Sequence, residues 1–84
     1  MDYIKLEKEA VRVTVELYKA PSEQRGLRLQ AELFKTPDVG DQQFVMGMVV
    51  ANAFELLESI TRKVPELKAR LDEQMDRLLE GTDG

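Results

Sequence analysis

The run MGMVVANAFELLESITRKVPELKARLDEQMDRL, residues 46–78, decides the architecture. Met46, Val50, Ala53, Leu57, Ile60, Val64, Leu67, Leu71, Gln74 and Leu78 stand 4-3-4-3-4-3-4-3-4 apart, and nine of these ten positions are apolar. Side chains at that spacing fall along one stripe of a helix, the pattern of a helix packed lengthwise on another helix. The stripe runs past Pro65, which lacks a backbone N–H and biases the residue before it away from helical angles. A full reversal there needs turn chemistry, and between Ser59 and Glu66 there is no Gly, Asn or Asp to supply it. The stripe keeps its phase across the proline. The reading is therefore one long C-terminal helix, from about residue 41 to about residue 79, kinked near Pro65.

Working outward from that helix, Asp41 is a candidate N-cap, and residues 36–40 (TPDVG) form a loop. From Phe44 to Leu57 only Gly47, Asn52 and Glu55 interrupt the apolar residues, which predicts a central helix covered on most sides. Gly47 and Ala51 share a face and leave room for a second backbone. The charge-free run of residues 42–54 is thirteen long. A membrane span needs about 20, so it reads as a core helix and the chain as cytoplasmic.

Residues 2–19 carry two patterns at once. Val11, Val13, Val15 and Leu17 alternate with polar residues as in a strand. At helical pitch, Tyr3, Ile4, Leu6, Ala10, Val11, Val13, Val15, Leu17 and Tyr18 share an arc of about 200°, with Lys5, Lys8, Glu9, Arg12, Glu16 and Lys19 opposite. The helix accounts for the whole segment and the alternation for half of it. An apolar arc this wide needs two neighbours or an interface. Glu7 and Thr14 fall inside it, read as edge residues with their polar ends in water. Pro21 ends this helix, and Ser22 is a candidate N-cap for a second one over residues 23–35. Leu27, Leu29, Ala31 and Leu33 alternate there too, so a β-hairpin of residues 11–18 and 27–34 is the rival. The expected fold is all-α: two shorter N-terminal helices packed on one long C-terminal helix, a single domain over residues 1–80 followed by a flexible tail, 81–84.

The 84 residues include no histidine and no cysteine. That removes thiolate and imidazole metal sites, disulfides and His-dependent nucleophile systems. Sixteen acids against twelve bases give a net charge of −4, unlike a phosphate-binding surface. Arg62, Lys63, Lys68 and Arg70 make a local basic stretch, but Glu66, Asp72 and Glu73 dilute it and no aromatic nearby offers a stacking platform. Lys19, Arg25 and Arg28 near the first loop read as surface charge. Met46, Met48 and Met75 read as core filling, and Gln74 as a register-setting polar residue or an end position.

One acidic constellation is chemically suggestive. Glu55-x-x-Glu58 and Glu73-x-x-Asp76 resemble the ExxE…ExxD set of the all-α, MazG-like nucleotide pyrophosphohydrolases. The resemblance implies carboxylates holding Mg²⁺ against a nucleoside triphosphate. It rests on these four residues alone, and Phe54 stands where the family pattern begins with a glutamate. On one helix the two pairs lie about 27 Å apart and share no metal unless the chain reverses at Pro65. The main reading is non-catalytic, with no cofactor: a helical interaction or adaptor protein. It is expected to self-associate as a homodimer through Ile60, Val64, Leu67, Leu71 and Leu78, with a further protein partner allowed and no nucleic-acid or membrane role.

Overall fold

The computed structural model describes residues 2–83, and among them every regular element is helical. The order is α1 (Tyr3–Lys19), a single 3₁₀ turn (Ser22–Gln24), α2 (Arg25–Leu33), α3 (Val39–Lys63) and α4 (Pro65–Asp83). The chain is all-α, and the rival hairpin of residues 11–18 and 27–34 is not found: α1 and α2 occupy those segments. It divides into two units, residues 1–54 and 55–84, with the division falling inside α3.

In the first unit, Asp2 caps α1 by accepting a hydrogen bond from the Lys5 N–H at 3.1 Å. Ala20 stops the helix in an extended conformation (φ −72°, ψ 148°), as a residue before proline is forced to do. Leu6, Ala10, Val13, Leu17 and Ala20 repeat the 4-3-4-3 spacing and face inward, Ala10 and Val13 fully buried. Val45 and Val49 of α3 complete the buried cluster, with Leu29 and Leu33 of α2 and Phe44 and Met48 of α3 packed on it. Tyr3 and Phe44 meet ring to ring at 5.2 Å.

The strand-like alternation in α1 has a helical cause. Ile4, Lys8, Val11, Val15 and Tyr18 form a second 4-3-4-3 stripe, displaced by two residues from the inner one and about 160° round the helix. These five side chains are exposed. Residues two apart therefore point alternately inward and outward, and apart from Lys8 both stripes are apolar. Between the stripes lies Thr14. Instead of reaching water, it is half-buried, donates to the Ala10 carbonyl at 2.7 Å and stands 3.4 Å from the amide nitrogen of Asn52. Glu7 is exposed, as expected.

Two caps differ from expectation. Ser22 lies in the 3₁₀ turn and makes no capping bond; its hydroxyl contacts the Glu23 carboxylate at 3.4 Å, and α2 begins only at Arg25. Asp38, not Asp41, caps α3: its carboxylate accepts from the Asp41 N–H at 2.9 Å, and its carbonyl accepts the first helical bond, from Gln42. Thr36-Pro37 leads straight into that cap, because proline excludes helix from the residue before it and lets a short side-chain acceptor follow. A Cβ on Gly40 would stand 3.1 Å from the capping carboxylate oxygen, which accounts for glycine there. The Gln42 side chain donates to the Thr36 carbonyl at 2.6 Å and fastens the loop.

The central helix is far less covered than expected. Only Val45 and Val49 of α3 are buried, and Met46, Val50 and Phe54 lie open. One neighbouring layer, α1 with the end of α2, covers one stripe of α3 and leaves the rest. Nothing approaches within 4 Å of a Cβ built at Gly47, so no second backbone uses the space that Gly47 and Ala51 provide. Met48 fills the core as anticipated, whereas Met46 and Met75 remain exposed.

In the second unit the helix ladder runs to Val64, whose N–H bonds the Ile60 carbonyl at 3.0 Å. Val64 then serves as the hinge residue: its own carbonyl accepts from the Leu67 N–H at 2.9 Å, and Pro65 takes the first position of α4. The interruption is one residue long. α4 continues to Asp83, through the Gly81 at which the tail was placed. Gly81 leaves a helix intact at modest cost when no following residue demands another conformation. Gly84 lies outside the described residues.

Candidate functional site

The second unit contains no buried side chain among its described residues. Of the five residues singled out for pairing, Ile60 is 49% exposed, Val64 43% and Leu78 66%, while Leu67 and Leu71 are half-buried. Leu67, Leu71 and Leu78 sit on one stripe of α4 because positions four and seven apart overlie each other. Ile60, in the last turn of α3, and Val64, the residue between α3 and α4, are likewise four apart. Met75 (43% exposed) lies beside the stripe, and Gln74 within it is exposed.

The acidic constellation is arranged differently from a metal centre. Glu58 pairs with Arg62 at 3.0 Å and Glu73 with Arg77 at 2.8 Å, each one helical turn apart and exposed. Among the described residues, no three acidic side chains gather into a group able to hold a metal ion. Glu55 and Asp76 are likewise exposed. The basic stretch is partly neutralised: Arg62 by Glu58, and Lys68 by Asp72 at 2.9 Å. Near the first loop, Arg25 donates to the Leu17 carbonyl at 2.9 Å and Arg28 stands 3.9 Å from Glu16, so both fasten α2 to α1.

α3 is, by length and composition, the one described helix able to cross a membrane, with 11% of the qualifying window buried. Its charge-free run covers about 20 Å of helix against about 30 Å of hydrocarbon. Within that run Gln42 and Asn52 spend their amides on Thr36 and Thr14.

The one polar cluster that the sequence did not signal joins α1 to α2. Glu32 is a buried carboxylate, 6% exposed. Arg12 reaches it at 2.7 Å and also hydrogen-bonds Glu9, while Lys35 approaches Glu32 at 3.2 Å. The Arg12 guanidinium holds both carboxylates below the ordinary range; burial opposes it without prevailing, and Lys35 adds to the effect on Glu32. The same bonds raise the already high pKa of Arg12. Arg12 and Glu9 lie on the polar arc of α1, which reads as solvated until α2 is laid across it. The available clue was Glu32 itself, between Ala31 and Leu33 and three residues after Leu29. No family model, curated protein or solved structure matches this chain.

Proposed function

We propose that this protein is a non-catalytic helical interaction or adaptor protein whose working surface is the apolar stripe of Ile60, Val64, Leu67, Leu71 and Leu78. It acts by pairing that stripe lengthwise with another helix. A second copy of the chain is the simplest occupant, because closed two-fold dimers are the commonest assembly and a stripe regular over several heptads suits self-pairing. The supporting observation is the exposure of Ile60, Val64 and Leu78 in a unit with no buried side chain among its described residues. Isolated helices of this length are marginal in water, so an uncovered apolar stripe gains its stability from a partner.

The test is sedimentation equilibrium on the full chain at tens of micromolar, in about 0.5 M salt so that surface charge is screened. The expected mass is twice 9.6 kDa, reverting to 9.6 kDa when Leu71→Glu places a charge in the stripe. A strict monomer at every concentration removes the homodimer.

A further inference from the structure

We propose that the preferred occupant of the α3–α4 stripe is a helix with acidic residues flanking its own apolar seam. The inference rests on the stripe being a pairing face, as argued above, and adds the charge character of what pairs with it. In a heptad abcdefg with the stripe at a and d, the residues bordering the seam are e and g, and these set partner choice. Counting from Leu57 as a, the e positions are Thr61, Lys68 and Met75, and the g positions are Leu56, Lys63, Arg70 and Arg77. Every charged residue bordering the seam from Leu57 onward is therefore basic.

The acids lie elsewhere. Glu55, Glu58, Glu66, Asp72, Glu73, Asp76 and Glu80 all fall at b, c or f, on the outer faces. Lys68 and Arg77 are drawn onto Asp72 and Glu73 on the outer face, at 2.9 Å and 2.8 Å, so the unpaired charge bordering the seam comes from Lys63 and Arg70. Lys63 and Arg70 make no ion pair among the described residues. A chain with net charge −4 thus borders its longest apolar stripe with bases and no acid, two of those bases, Lys63 and Arg70, without an ion pair among the described residues.

Such a rim works against self-pairing. In a parallel pair of copies Lys63 faces Lys68, and in an antiparallel pair Arg70 faces its own equivalent; like charges at these positions repel. A helix with glutamates at e and g converts each repulsion into an attraction. The rim is thus a selectivity device: the apolar stripe supplies attraction to any helix, and the bases favour an acidic one over a second copy.

The test measures binding of the full chain, by fluorescence anisotropy, to two labelled synthetic helices of about three heptads. Both carry Val and Leu at a and d; one has Glu at every e and g, the other Lys. The Glu helix is expected to bind at least about tenfold more tightly in about 0.05 M salt, with the advantage shrinking toward about 0.5 M. Over the same range, self-association of the chain should strengthen. The double variant Lys63→Glu/Arg70→Glu should lose at least about fivefold for the Glu helix and gain for the Lys helix. Its circular dichroism should match that of the parent. Equal binding of the two helices, or tighter binding of the Lys helix, overturns the proposal. If neither helix binds while the chain dimerises in about 0.5 M salt, the stripe remains a pairing face and the acidic partner is overturned. If neither helix binds and the chain stays monomeric, the pairing face itself is overturned, and the acidic partner with it.

Discussion

Val13 of α1 and Val45 of α3 are the largest fully buried side chains of a small core. Among the described residues only six apolar side chains are buried, so each is a large share of the core. Val13→Ala removes two methyl groups and leaves a void, and is expected to cost about 2 kcal/mol in urea unfolding. Gly47 lies at the opposite extreme. It sits inside a helix with open space where a Cβ would go, so Gly47→Ala should stabilise the chain by about 0.5–1 kcal/mol in the same measurement. A loss of stability would mean that the glycine is occupied by a close neighbour in solution. Gly40→Ala is a different case, since its Cβ would press on the Asp38 carboxylate that caps α3.

Among the elements, α1 carries the most information. Its inner stripe makes the core, its outer stripe of Ile4, Val11, Val15 and Tyr18 stays in solvent, and its polar arc receives α2 through Arg12. Arg12→Ala leaves the buried Glu32 with Lys35 alone and is expected to cost about 2 kcal/mol, less than a fully buried pair because the Arg12 side chain is 40% exposed. The clamp also predicts a pH dependence. Glu9 and Glu32 have folded-state pKa values below their unfolded ones, so the unfolded chain binds more protons across that interval. Their contribution is fully present above about pH 4.5 and is lost as the pH falls further through the folded-state values. Urea midpoints should therefore fall between about pH 5 and about pH 3, and Glu32→Gln should make that decline shallower. An unchanged slope in the variant would remove Glu32 from the clamp.

For the whole molecule, the governing imbalance is between apolar residues supplied and apolar residues covered. The first unit closes a core from three helices. The second offers Ile60, Val64, Leu67, Leu71 and Leu78 with no buried side chain among its described residues. The pairing reading predicts that in about 0.5 M salt, where the bases beside the stripe are screened, thermal stability rises with protein concentration, since association stabilises whatever state it binds. Leu71→Glu should abolish that dependence while leaving the low-concentration midpoint nearly unchanged, because Leu71 supports no buried core within the chain. A midpoint independent of concentration in the parent protein would contradict the reading.

Helix periodicity, proline positions and the absence of turn residues near Pro65 were sufficient to specify an all-α chain, the ends of α1, and a kink near Pro65, which the structure makes a one-residue interruption at Val64. These are local properties: they follow from backbone sterics and from the spacing of apolar side chains along one helix. The sequence also marked the stripe that lies open, since its 4-3 spacing outlasts the helices available to cover it. What it did not reveal depends on which surfaces meet. Arg12 is indistinguishable from a solvated arginine until Glu32 arrives from twenty residues away. Asp38 and Asp41 are equally able to cap a helix until the backbone chooses the start. The covered stripe of α3 is one apolar face among several until α1 packs on Val45 and Val49. Pattern fixes what each helix offers, and only tertiary packing selects which offer is taken, because burial energy depends on the neighbour as much as on the residue.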